Sequence, residues 1–189
     1  MYEKLNEAIK FATDCHAGQM RKMAKTPYIL HPVEVATIIS TITSDEDVMI
    51  AGLLHDTIED CDADPKEIKQ RFGARVSALV QSETEDRLSD RPPADTWQER
   101  KEESLLVLEL TKDRDVKILW LGDKLSNMRS FYREYLLRGD DIWQELHQKD
   151  PRMQGWYYKT IAYLLRELSE CAAYKEYVEL VEKVFGKEE

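Results

Sequence analysis

The sequence predicts an all-α fold, on three observations. No stretch alternates apolar and polar residues long enough for a half-buried strand. Apolar residues recur at three- and four-residue intervals along most of the chain. The pattern also restarts repeatedly at residues that cap helices. Counting the breaks gives about eight to ten helices.

Leu5, Ala8, Ile9, Ala12 and Cys15 share one helical face, which predicts a first helix over roughly 2–17, stopped by Gly18. A basic loop follows with Arg21, Lys22 and Lys25. Pro32 is suited to the first position of a second helix, with Val33, Ala36, Ile39 and Ile42 on its apolar face. Ser44 and Asp47 form a capping pair for a third, which runs into the uncharged stretch from Val48 to Leu54. Asp64-Pro65-Lys66-Glu67 opens a short helix ending near Gly73, after which Val76, Leu79 and Val80 continue the helical pattern. Residues 81–95 are polar, contain Pro92-Pro93, and read as either a functional loop or a linker. Thr96-Trp97-Gln98-Glu99 is a capping box, with Leu105, Leu106, Leu108 and Leu110 as the apolar face behind it. Asp115 is placed to cap a long helix through Arg138, broken by Gly139-Asp140-Asp141. Two final helices are expected over roughly 154–170 and 174–185.

At 189 residues the chain has the length of one domain, 1–189. Hydrophobic residues are 42% and charged residues 34%, the balance of a globular protein. The net charge of −10 argues against nucleic acid as a partner, which requires a basic face. An anionic ligand would need a local basic cluster or a metal ion to offset that charge. No run reaches the ~18 apolar residues of a membrane span, and the N-terminus lacks the basic-then-apolar layout of a signal peptide. Cys15, Cys61 and Cys171 are odd in number and widely spaced, which suggests reduced thiols and a cytoplasmic setting.

The apolar stretch ends abruptly in His55-Asp56-Thr57-Ile58-Glu59-Asp60. Ionised groups beside a core are costly unless they are paired or bound to a metal. On this stretch alone, a divalent-metal site and a solvated helix end are both consistent. A helical segment would put His55 and Glu59 on one face and Asp56 and Asp60 on the next. Two further residues have similar settings: His31, at the edge of a predicted helix, and Asp123, an acid among Ile118, Leu119, Leu121, Leu125 and Met128. Buried Asp is rare without a partner. Two imidazoles and two carboxylates make a mixed nitrogen–oxygen donor set suited to Mn²⁺, Fe²⁺ or Zn²⁺. His16 and His147 lack such a context and read as structural or solvated. The chain has no phosphate-binding GxxxxGK[ST] loop and no nucleophile elbow.

The order of these residues resembles that of HD-domain metal phosphohydrolases. Thr26-Pro27-Tyr28-Ile29-Leu30-His31-Pro32, Leu53-Leu54-His55-Asp56-Thr57-Ile58-Glu59-Asp60, Arg71-Phe72-Gly73 and Gly122-Asp123-Lys124-Leu125-Ser126-Asn127-Met128-Arg129 together resemble the hydrolase domain of the RelA/SpoT-type family, in particular its stand-alone small alarmone hydrolases. The resemblance implies an HD-domain helical bundle and hydrolysis of the 3′-pyrophosphate of (p)ppGpp, a small-molecule nucleotide. It implies one Mn²⁺ ion held by His31, His55, Asp56 and Asp123, with Glu59 and Asp60 positioning or deprotonating the attacking water. Arg21, Lys22, Lys25, Asn127 and Ser130 would contact the nucleotide. Family members often have Ala, Arg, and His or Tyr where this chain has Gly122, Lys124 and Ser126. The residues admit two other readings: an HD phosphohydrolase acting on a deoxynucleotide or NADPH, and a nucleotide sensor without turnover.

Overall fold

A computed structural model describes residues 2–85 and 91–186. It is all-α. In chain order the helices are α1 (Glu3–Cys15), α2 (Leu30–Ser40), α3 (Glu46–Leu54), α4 (Thr57–Cys61), α5 (Pro65–Phe72), α6 (Ala74–Glu83), α7 (Trp97–Leu110), α8 (Arg114–Arg138), α9 (Pro151–Leu164) and α10 (Ala172–Phe185), with 3-10 turns at Gly139–Glu145 and Arg166–Leu168. Among the described residues, no helix is long and apolar enough to cross a membrane.

The core forms around α3 and α8. The stretch read as uncharged is α3, and nearly all of it is buried, from Val48 through Leu54 apart from Met49. α8 is buried along most of its 25 residues. Both pack against α2. That close approach depends on two glycines: a Cβ at Gly52 would stand 2.5 Å from Ile39 Cδ1 and 3.3 Å from Val35 Cγ1, and one at Gly122 would stand 2.9 Å from Ile39 Cγ1. Val35 and Ile39 are themselves fully buried, so they have little room to yield.

Several helix boundaries differ from expectation, each for a local reason. Asp45, not Ser44, caps α3, accepting the Asp47 N–H at 3.0 Å. Asp113, not Asp115, caps α8 in the same way at 2.9 Å. At α3 the cap lies one residue beyond the expected serine, and at α8 two residues before the expected aspartate; in both, the capping aspartate accepts the N–H two residues on. Thr96 makes no side-chain cap at α7, because its hydroxyl instead accepts from Arg100 Nε at 3.3 Å. Asp64-Pro65 caps α5 as expected, and the same Asp-Pro signal at Asp150-Pro151 starts α9 earlier than the apolar periodicity indicated. α6 runs on to Glu83, so only part of 81–95 is irregular, and residues 86–90 of that loop lie outside the described set. On α2 the buried face carries Val35 and Ile38 while Val33 is exposed. On α7, Leu105 and Leu108 are buried while Leu106 and Leu110 face solvent.

Candidate metal centre and adjoining cleft

The chain breaks at His55-Asp56. α3 ends at Leu54, and Asp56 begins α4 with its carbonyl accepting the Asp60 N–H at 2.8 Å. This break turns both side chains into a chamber rather than stacking them along one helix. α2 brings His31 from its first turn, and α8 brings Asp123 from its middle. His31, His55 and Asp123 are all buried and each offers one ligand atom within 4.8 Å of the others, a group of the kind that holds a divalent ion. Asp56 joins them. His55 Nε2 lies 3.0 Å from Asp56 Oδ2 and 3.6 Å from Asp123 Oδ1, and His31 Nε2 lies 3.0 Å from Asp123 Oδ1 and 3.6 Å from Asp56 Oδ2.

These donors fit a metal ion. His55 Nδ1 donates to the Gly52 carbonyl at 2.9 Å, an atom that can only accept. Its Nε2 is then a buried atom with no hydrogen-bond partner, facing two carboxylates. The electrostatics show the same demand for a cation. Burial opposes charge on His55, yet Asp56 and Asp123 outweigh it and hold the imidazole well above its ordinary value. Burial likewise opposes ionisation of Asp123, but Lys124, His31 and His55 hold it well below the usual carboxylate range. Burial keeps His31 below its ordinary value.

Other groups brace the carboxylates. The Tyr28 hydroxyl donates to Asp56 Oδ2 at 2.7 Å, and Asn127 Nδ2 donates to Asp123 Oδ1 at 2.7 Å. Lys124 is ion-paired with Asp123 Oδ2. Asp123, Ser126, Asn127 and Ser130 fall at i, i+3, i+4 and i+7, so α8 presents them along one face.

The metal cluster lines a chamber of about 260 Å³, together with Glu59, Asp60, Glu83 and Lys101. Burial, with Asp56, Glu85 and Asp60 nearby, raises Glu59 above its ordinary value. Beside the chamber is a wider cleft of about 570 Å³ that shares Tyr28, Asp60, Trp97, Lys124 and Asn127 with it. This volume suits a ligand of nucleotide size. Arg21, Lys22, Asn127 and Ser130 all line the wider cleft, with Phe131, Tyr157 and Tyr158 as aromatic walls. Arg21 donates to Asn127 Oδ1 at 2.9 Å, which ties the basic loop to α8. That loop is a closed turn, with Arg21 N–H bonded to the Thr26 carbonyl and Tyr28 N–H to the Gln19 carbonyl, both at 2.9 Å.

Lys25 does not join this group. It occupies the left-handed corner of the turn at φ 51°, points outward, and lies 3.7 Å from Glu145. His147, read from sequence as structural or solvated, lines both cavities and stands 3.0 Å from Lys22 Nζ. His16 is buried against Gln19, in keeping with a structural role.

Glu83 was not foreseen, because nothing in its local sequence distinguishes it from the acids around it. It is buried on the chamber wall, neither carboxyl oxygen has a hydrogen-bond partner, and Lys124 Nζ is 3.5 Å away. Burial, reinforced by Asp123 and Asp56 against the pull of Lys124 and His55, pushes it up to about 8. Between the ordinary glutamate value of 4.5 and about 8, the folded chain therefore holds a proton that the unfolded chain has released. The Glu83 contribution to stability is then lost as pH rises through that window. Thermal melts of metal-free protein across it should show this loss, and Glu83→Gln should flatten it. An identical pH slope in the variant would count against a protonated Glu83.

The HD domain family matches residues 8–151. The guanosine-3′,5′-bis(diphosphate) 3′-pyrophosphohydrolase of Aquifex aeolicus is 37% identical over 130 residues, covering 69% of this chain but 18% of that protein. The protein of the same name in Vibrio cholerae is 37% identical over 131 residues, with 68% and 18% covered. The chain thus matches less than a fifth of the length of these relatives. Among solved structures, a metazoan ortholog of SpoT, described as hydrolysing ppGpp with a role in starvation responses, superposes with a TM-score of 0.74 at 27% identity, covering 96% of this chain and 94% of that one. Protein lmo0812 of Listeria monocytogenes superposes with a TM-score of 0.72 at 29% identity, covering 83% and 99%.

Proposed function

This chain belongs to the HD domain family, and from that premise we propose that it is a Mn²⁺-dependent hydrolase that removes pyrophosphate from the 3′ position of (p)ppGpp, leaving GDP or GTP. The observation that carries the reading is the buried His31-His55-Asp123 cluster, set in a chamber that adjoins a basic, aromatic-walled cleft. The names of the Aquifex and Vibrio relatives and of the metazoan structure support the substrate. The whole chain is proposed to act as a single domain.

His31, His55, Asp56 and Asp123 would hold the ion. A divalent ion there supplies charge neutralisation at the phosphoryl oxygens and activation of water near neutral pH. Glu59 and Asp60 lie on the same chamber wall and would accept the proton of the attacking water. Glu59 suits this, since its raised value makes it a better proton acceptor than an exposed carboxylate. Water adds to the phosphorus bound to ribose O3′ and gives a proton to the carboxylate, the P–O3′ bond breaks, O3′ takes up a proton to become the 3′-hydroxyl of GDP or GTP, and pyrophosphate carrying the water's oxygen is released. Arg21 and Lys22 would offset the charge of the nucleotide against a chain whose net charge is −10. Asn127 and Ser130 would complete the contacts from α8, and the aromatic walls would hold the base.

Incubation with ppGpp and Mn²⁺, followed by chromatography of the products, tests the proposal. GDP and pyrophosphate are expected. No turnover of ppGpp, with turnover of a deoxynucleotide or NADPH under the same conditions, would replace the substrate. Replacing both Arg21 and Lys22 with Ala should raise KM roughly tenfold or more with a smaller change in kcat, since one charge-assisted hydrogen bond is worth about 1.5 kcal/mol. An unaltered KM would make them solvated surface residues.

A further inference from the structure

The two histidines at the metal cluster are held from behind in different ways. His55 is fixed by a backbone carbonyl, while His31 Nδ1 meets the Ser126 hydroxyl at 2.8 Å. A hydroxyl can donate or accept, so by itself it would not choose a tautomer for His31. The choice is made one step further back. Ser126 Oγ donates to Glu34 Oε2 at 2.7 Å, and Glu34 Oε1 accepts from Arg129 at 3.1 Å. Arg129 is held in turn by two 2.7 Å hydrogen bonds to Glu176 on α10. A carboxylate paired with a guanidinium only accepts. The single hydroxyl hydrogen of Ser126 is therefore committed to Glu34, and its lone pair faces His31. His31 must then carry its proton on Nδ1, which leaves the Nε2 lone pair directed at Asp56 and Asp123.

The competing tautomer is a strong one. A proton on Nε2 could be donated to Asp123 Oδ1, a charged acceptor 3.0 Å from that nitrogen, and would close His31 to any metal ion. We infer that Ser126 and Glu34 are positioning residues that set the tautomer of His31 and keep its Nε2 open to the ion. The inference rests on the metal reading of the site proposed above. Ser126 is almost fully buried, so water does not replace it easily as the acceptor. The relay also extends from the site to the C-terminal helix, because Arg129 fastens Glu34 to Glu176.

Long-range ¹H–¹⁵N spectra of the metal-free, full-length protein read the tautomer directly, and competition with a chromophoric chelator reads Mn²⁺ affinity. Wild-type His31 is expected as the Nδ1–H form. Ser126→Ala should admit the Nε2–H form and weaken Mn²⁺ binding by about 10–100-fold. Glu34→Gln is the sharper variant. Its amide can donate to Ser126, which releases the hydroxyl hydrogen toward Nδ1, reverses the relay and should also shift His31 toward Nε2–H. Ser126→Thr keeps the hydroxyl and should keep the wild-type tautomer. The same tautomer in wild type, Ser126→Ala and Glu34→Gln would overturn the inference, as would shifted tautomers with undiminished Mn²⁺ affinity. Shifted tautomers in the two variants, together with a wild-type protein that binds no Mn²⁺, would support the relay and overturn the metal reading instead.

Discussion

Glu59→Gln is expected to keep its metal ion and its nucleotide affinity while kcat falls by about 10²–10⁴-fold, the usual contribution of a general base. The substitution keeps the shape of the side chain on the chamber wall and removes only the group that accepts a proton. Glu59 is partly buried beside Asp56, Glu85 and Asp60, a negative surrounding that favours proton uptake. Asp60 lies on the same wall and also lines the wider cleft, and its backbone carbonyl is anchored by Gln19 at 3.1 Å. Asp60→Asn should therefore give a loss of similar kind. The double variant should lose less than the product of the two, because both would serve one water. Single-turnover rates and metal content, measured on the same preparations, decide the matter. Loss of metal in Glu59→Gln would move Glu59 into the coordination set, and wild-type turnover in both variants would refute the mechanism.

Asp123→Ala is expected to abolish metal binding. The residue faces both histidines, at 3.0 Å from His31 Nε2 and 3.6 Å from His55 Nε2. Its removal would also take from the Lys124 ammonium its ion pair with Asp123, leaving Glu83 at 3.5 Å, and would take the acceptor from Asn127 Nδ2. Asp123→Asn is the gentler companion, since it keeps an oxygen for Asn127 and removes the charge. Mn²⁺ at about 100 times its Kd should stabilise wild-type protein by about 2.7 kcal/mol, or roughly 5–10 °C in Tm. Neither variant should show that rise. Metal analysis after gel filtration gives the stoichiometry independently. Full metal content in both variants would remove Asp123 from the donor set.

Much of the fold was legible because helices announce themselves locally. Asp64-Pro65 states a helix start in two residues, and the uncharged run into His55 states both a buried helix and its end. Where two acids compete for one cap, as at Asp113 and Asp115, sequence does not choose, because the choice depends on backbone angles. Exposure on α7 was likewise beyond sequence: Leu105, Leu106, Leu108 and Leu110 are equally apolar, and only the helices packed against α7 determine which pair is covered.

The same division runs through the site. Sequence by itself determined the chemistry on offer: two imidazoles, an abundance of carboxylates and a basic turn, in an order shared with a known family. Ligand type and motif order are properties of the chain, and no folding is needed to read them. The tertiary structure decided which of these groups meet. It brought His31 of α2, His55 at the end of α3 and Asp123 of α8 together, through the close packing that Gly52 and Gly122 permit on α2. It turned Lys25 away from the cleft and His147 toward it. It placed Glu83 without a hydrogen-bond partner on the chamber wall, and Ser126 and Glu34 behind His31. The physical reason is range. Capping and periodicity act within a few residues, whereas burial, charge pairing and the direction of a hydrogen bond belong to residues 92 to 95 positions apart that the fold brings into contact.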